Sequence, residues 1–280
     1  MTAITKNHVD LEQMQLMLKH SVAPQIRVGA KNHINTCQHC WNLWNKVRWD
    51  RAMSSKGIQE LQEYLGESFV TYFDSSLALA NEWNLERRLI KEDVESFYQK
   101  TNNYLYNLTV FYESGDRTNF KSLIQKLAEN KDLTTIMDYG CGVGNDTLDL
   151  VEAGFRVLSI DFDSPTLDFL RWRLGKRGIP KEQCQVIPLE KINSHKEDCF
   201  QADMFWAVDV LEHMFDPFEV FEYISDDIRF FSYFVDSDDK ANGRHPFHFD
   251  FPTAQFNERL RMRKLKLCKD YDPQISVWMR

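Results

Sequence analysis

A chain of 280 residues can hold one large domain or two modest ones, and the length favours two. Its 43% hydrophobic and 27% charged residues exclude a disordered chain, and no run approaches the ~18 apolar residues of a membrane-spanning helix. A net charge of −8 argues against a partner held by its phosphate backbone, because counterion release at a basic face drives such binding.

The opening stretch, MTAITKNHVDLEQM, lacks an apolar run of signal-peptide length, which predicts a soluble, cytoplasmic protein. Residues 1–130 show almost no strand-type alternation and hold four glycines, so the first half reads as helical. Ile58, Leu61, Leu65, Phe69 and Tyr72 recur at helical spacing, as do Val94, Phe97, Tyr104, Leu108 and Phe111. Another short amphipathic helix is expected over 122–127. Cys37-Gln38-His39-Cys40, with His33 upstream, has the outline of half a zinc site, but a structural zinc takes four ligands and there is one such pair. Cys37, Cys40, Trp41 and Trp44 also suit one apolar helix face, so buried thiols are expected. The six cysteines are expected to be reduced.

From Leu133 the pattern changes to strand, glycine turn, helix, strand. Strands are expected at 134–138, 155–160, 185–187, 204–208 and 228–235. Helices are expected at 145–153, from Ser164-Pro165, over FEVFEYI after Asp216-Pro217, and over 253–260. Two last strands, 264–267 and 275–279, flank Asp270-Tyr271-Asp272-Pro273, which reads as a turn. Alternating strand and helix implies an α/β fold with a mostly parallel sheet, closed by a terminal hairpin that adds one antiparallel strand. The basic run Arg259, Arg261, Arg263, Lys264 and Lys266 reads as a solvated helix end entering an edge strand.

The sharpest motif is Asp138-Tyr139-Gly140-Cys141-Gly142-Val143-Gly144, between the first strand and its helix. Glycines there permit a tight turn and close approach of a ligand to bare backbone. Seventeen residues after Gly144 the second strand ends in Asp161, a place from which a carboxylate can accept two ribose hydroxyls. A dinucleotide loop would carry a glycine where Asn145 stands. The G-x-G-x-G spacing with a preceding acid resembles instead the class I S-adenosylmethionine (SAM) methyltransferases, over roughly residues 115–280.

The resemblance implies a Rossmann-like catalytic domain at 115–280 behind an all-helical cap at 1–114, with SAM as cofactor. It implies that Asp138 and the backbone of Gly140, Cys141, Gly142 and Gly144 hold the methionine end. Asp161 would take the ribose hydroxyls, Phe162 the adenine face, and Asp209, after the fourth strand, would stand beside the methyl group. Glu190 departs from the family pattern and is a weaker adenine-side candidate. The activity implied is methyl transfer to an oxygen or nitrogen of a small-molecule acceptor; RNA or protein acceptors, or a scaffold that binds cofactor without turnover, are the alternatives. A nucleic-acid or membrane partner is disfavoured, and oligomeric state is left open.

Methyl transfer is mainly a positioning task, with a base wanted when the acceptor is a hydroxyl or ammonium. Candidate catalytic residues are His248, His213, Asp209 and His245, on stretches following the fourth and fifth strands. Asp209, Glu212, His213 and His248 also resemble the divalent-metal set of some O-methyltransferases, but a metal-free base is preferred. Trp41, Trp44, Trp49, Tyr104 and Tyr106 suit the cap's core more than an acceptor pocket.

Overall fold

The computed structural model describes residues 8–85, 90–118, 120–235, 247–269, 271 and 275–280. They form two compact units, one helical and one built on a sheet.

The helical unit contains α1 (Leu11–Leu18), α2 (Pro24–Thr36), α3 (Gln38–Ala52), α4 (Lys56–Leu65) and α5 (Ser75–Leu85). After α6 (Lys91–Lys100) the chain returns to it as α7 (Asn103–Glu113). Side-chain caps start three of these helices: the Gln13 amide donates to Asp10 at 2.7 Å, the Ile58 amide to Ser55 at 3.2 Å, and the Leu77 amide to Asp74 at 3.1 Å. Helix α4 ends at Gly66, whose φ of 55° reverses the chain, so Phe69 and Tyr72 lie beyond the helix expected to hold them. The Val94–Phe111 pattern is likewise two helices, because Thr101 is extended.

Met14, Met17 and Leu18 of α1 pack with Ile34, Trp41 and Trp44 in one core. Fully burying a side chain of this kind contributes ~1.5–3 kcal/mol. Trp41, Trp44, Trp49, Tyr104 and Tyr106 are all buried. The indole N–H of Trp41 donates to Asp74 at 2.7 Å, that of Trp49 to the Phe73 carbonyl at 3.1 Å, and the Tyr106 hydroxyl accepts from the Val70 amide at 2.8 Å. The polar ends of Trp41, Trp49 and Tyr106 are thus satisfied within the unit.

The sheet unit comprises α6 and the chain from α8 (Lys121–Ala128) onward: β1 (Thr135–Tyr139), α9 (Asn145–Glu152), β2 (Arg156–Asp161), α10 (Pro165–Lys176), β3 (Cys184–Pro188), α11 (Lys196–Phe200), β4 (Met204–Val208), β5 (Phe230–Phe234), α12 (Thr253–Met262), β6 (Lys266–Cys268) and β7 (Ser276–Met279). Helix α6, although it precedes α7 in the chain, belongs with the sheet unit. The helix expected after Asp216 is a 3₁₀ segment, Pro217–Glu222, started by the Asp216 side chain accepting from the Phe218 amide at 2.9 Å.

Strand order is β3-β2-β1-β4-β5-β7-β6, with β3, β2, β1, β4 and β5 parallel and β7 antiparallel to both its neighbours. β1 and β4 are buried throughout, as central strands covered on both faces must be. Period-2 alternation divides them: Met204, Trp206 and Val208 join Leu148, Leu167 and Leu170 on one face, while Phe205 and Ala207 join Phe231, Phe256 and Leu260 on the other. Strand order reverses between β1 and β4, which opens a crevice at their carboxyl ends. The basic run ends α12, where Arg263 pairs with Asp226 and Arg261 with Glu258 at 3.1 Å. Among the described residues no helix is long and apolar enough to cross a membrane.

Candidate active site

The glycine loop folds because every turn in it falls on a glycine. Gly140, Gly142 and Gly144 have φ of 70°, 53° and 77°. A Cβ on Gly140 would lie 2.5 Å from Val210, and one on Gly144 would lie 2.2 Å from Leu170. The loop is thus pressed between the residue after Asp209 and helix α10. Its amides are largely consumed in making the turn. Gly140 and Cys141 both donate to the Ile160 carbonyl, at 2.7 and 3.1 Å, Gly142 donates to Asp161 at 2.6 Å, and Gly144 donates to the Cys141 carbonyl at 2.8 Å. These four amides are therefore occupied within the turn, and the three glycines offer a ligand close, Cβ-free backbone.

Asp138 stands next to last in β1, just before the loop. Its carboxylate is 2% exposed and accepts the Thr147 hydroxyl at 2.5 Å, and Thr147 meets Ser159 at 3.0 Å. The Asp138–Thr147 bond ties α9 to β1. Arg173, which sequence reasoning missed, braces the loop from α10: its buried guanidinium donates to the Val143 carbonyl at 2.6 Å and to the Asn145 side chain at 3.0 Å. Nothing local marks it, since it stands in the same helical turns as Leu170 and Leu174. The Cys141 thiol is buried, which pushes its pKa well up and leaves it inert.

Asp161 ends β2 with one carboxylate oxygen accepting from Gly142 and the other from the Phe162 amide at 2.7 Å. Burial raises its pKa to about 6, against the pull of those two amides. A carboxylate has about four acceptor positions, so two remain for a pair of hydroxyls. Glu190 stands alongside, accepting from the Asp163 amide at 3.2 Å and from Gln99 at 2.9 Å.

After β4, Asp209 adopts φ 56°, a conformation that costs a non-glycine residue on the order of 1 kcal/mol. Its amide donates to the Phe234 carbonyl at 3.1 Å. Glu212 is buried, and its carbonyl accepts the Phe249 amide at 2.6 Å. That bond draws the stretch after β5 back onto the end of β4. His213 and His248 consequently meet, with ring centroids 4.5 Å apart at 82°, and Phe247 stacks on His213 at 5.6 Å. His245 lies outside the described residues. Among the described residues, Asp209, Glu212, His213 and His248 do not form a group whose donor atoms could hold one ion.

Tyr98 on α6 was not foreseen. Its ring lies parallel to Phe162 at 6.3 Å, and its hydroxyl is 3.0 Å from His213 Nδ1. One side chain thus links the ends of β2 and β4 across the crevice. Its sequence context, an ordinary amphipathic helix distant in the chain, gives no sign of this.

A doubly wound sheet with order 3-2-1-4-5-7-6, a glycine loop after its first strand and a carboxylate after its second defines a Rossmann-like nucleoside-binding domain. Residues 137–228 match the family described as "Methyltransferase domain". That match spans the glycine loop, β2, β3 and β4, so the part of the chain that builds this sheet edge is similar to a methyltransferase domain. It is similar in fold to mitomycin 7-O-methyltransferase (13% identity over 96% of this chain and 74% of that one, TM-score 0.47). It is also similar to magnesium protoporphyrin IX methyltransferase from Synechocystis PCC 6803, solved with bound SAM (13%, 76% and 100%, 0.43). A third likeness is to a SAM-dependent methyltransferase from Agrobacterium tumefaciens (10%, 57% and 60%, 0.39). No curated protein matches the chain.

Proposed function

We propose that the chain methylates an oxygen or nitrogen of a small-molecule acceptor, with His248 as the base and His213 and Tyr98 positioning it. The observation that carries this reading is the meeting of His213 and His248 at the same sheet edge as the glycine loop and Asp161. When bound, SAM supplies an electrophilic methyl group for an in-line displacement. Gly140, Gly142 and Gly144 would let it approach the backbone, Asp161 would accept its ribose hydroxyls, and Phe162 would lie against its adenine. Asp209, whose neighbour Val210 meets Gly140, would stand beside the methyl group. Tyr98, donating to His213 Nδ1, leaves the ring proton on Nε2 and fixes the imidazole against His248. His248 removes the acceptor's proton as the nucleophile attacks.

Calorimetry tests the first requirement: SAM or its demethylated product should bind, and NAD should not, because Asn145 replaces the third glycine. Binding of NAD alone would overturn the reading. Labelled SAM incubated with the protein and a cell extract should transfer label to a small metabolite; label on RNA or protein would refute that acceptor class, and no transfer at all would indicate a scaffold. With the acceptor in hand, His248→Ala should lower turnover ~10²–10⁴-fold while SAM affinity holds. Unchanged turnover would leave positioning as the whole mechanism.

A further inference from the structure

Four side chains of the helical unit, His8, His33, Cys37 and Cys40, point potential ligand atoms at one another, all within 4.8 Å. We propose that they form a structural Zn²⁺ site of Cys₂His₂ type, which fastens the segment before α1 to the corner between α2 and α3. The site lies wholly in the helical unit and does not depend on the methyltransferase reading.

The corner itself supplies three ligands. His33 is in the last turn of α2, Cys37 is the extended residue that both ends α2 and starts α3, and Cys40 is in the first turn of α3. The 37–40 spacing is that of a Cys-x-x-Cys zinc knuckle, and His33 precedes it by one helical turn. His8 is delivered from elsewhere in the chain. Val9 beside it is 1% exposed, Asp10 caps α1, and α1 is packed against α3 through Met14, Met17 and Trp44. The position of His8 is thus fixed by burial of its neighbours.

The distances suit a metal better than a hydrogen bond. His8 Nδ1 lies 3.6 Å from Cys37 Sγ and 3.4 Å from Cys40 Sγ. A tetrahedral zinc with bonds of ~2.3 Å to sulfur and ~2.0–2.1 Å to nitrogen separates its ligand atoms by about 3.4–3.8 Å. A neutral imidazole Nδ1 has a single lone pair, so two thiols cannot both donate to it. His33 Nε2 is buried and has no hydrogen-bond partner among the described residues, a costly arrangement that a metal bond relieves. His39 packs on His8 at 4.7 Å between ring centroids but is not among the converging donors. Mixed thiolate and imidazole ligation in a closed set of four selects zinc and leaves no open position for substrate. Sequence spacing showed only half of this site and led to an expectation of buried helical thiols; Cys37 is instead at the junction, half-buried, with His8 opposite.

The test uses the full chain purified from zinc-replete medium without chelator. Elemental analysis should give one zinc per chain, and cobalt exchanged into it should show the strong visible bands of a tetrahedral site with thiolate charge transfer. His8→Ala and Cys37→Ser should each weaken zinc binding by more than about a hundredfold, since even the loss of an outer partner of a ligand costs 10–100-fold. His39→Ala should leave zinc content unchanged. Removing zinc should lower the melting temperature of the wild type and not that of His8→Ala. If Cys37→Ser fails to fold, the cobalt spectrum of the wild type and the exposed-site variant His8→Ala decide the matter. A wild-type chain that takes up neither zinc nor cobalt, or a His8→Ala chain that keeps zinc as tightly, overturns the site.

Discussion

Asp161 is subject to opposing demands. Burial lifts its pKa to about 6, above the ~3.9 of an unfolded aspartate, so between those values the folded chain binds a proton that the unfolded chain has lost. Stability from this group therefore falls as pH rises from ~4 to about 6 and does not recover above it. A pair of hydroxyl donors reverses the preference by stabilising the charged form. Affinity for SAM should accordingly tighten as pH rises through about 6, which calorimetry across that interval would show. Asp161→Ala should abolish this pH dependence and weaken binding at least tenfold, because two charge-assisted hydrogen bonds are worth roughly 2–4 kcal/mol. Equal affinity in the two proteins would place the ribose elsewhere.

At the scale of elements, the β1–loop–α9 passage depends on three left-handed glycines and on the close approach of Val210 and Leu170. Gly144→Ala adds both a disfavoured φ and a methyl inside the van der Waals radius of Leu170. The two effects together should cost about 2–4 kcal/mol, read as a lower urea midpoint with an unchanged slope. A variant as stable as wild type would mean that α10 shifts freely, contrary to its Arg173 brace. The same passage shows where local signals suffice. Asp138 to Gly144 could be read as a loop from spacing, but not that four of its amides are occupied or that Asp138 accepts from Thr147. Those facts depend on Ile160, Thr147 and Asp161 arriving from other elements.

Across the molecule, the helical unit has a charged centre in addition to its apolar core. Asp116, 5% exposed, is surrounded by Lys31 and Arg27 of α2 and Arg48 of α3, whose Nε is 3.1 Å away. Burial works to raise its pKa, but the three cations outweigh it and hold the carboxyl below the usual range. The stability it contributes is present above ~3.9 and is lost as pH falls through the lower folded value. Asp116→Ala strands the buried Arg48 and should destabilise the chain by about 3 kcal/mol at neutral pH, measured by urea unfolding. A loss under 1 kcal/mol would show the cluster to be solvated.

The sequence by itself determined the class of this protein. Period-2 runs, a glycine loop, Asp161 seventeen residues on and a terminal hairpin are all local patterns, and local patterns fix strands, turns and their order along the chain. Tertiary structure alone decided which distant parts meet. It placed β7 between β5 and β6, gave α6 to the sheet so that Tyr98 reaches His213, turned Arg173 onto the loop, and brought His8 to Cys37 and Cys40. Each of these contacts closes a long stretch of chain and is secured by burial of many side chains at once, a quantity that no short window of sequence contains.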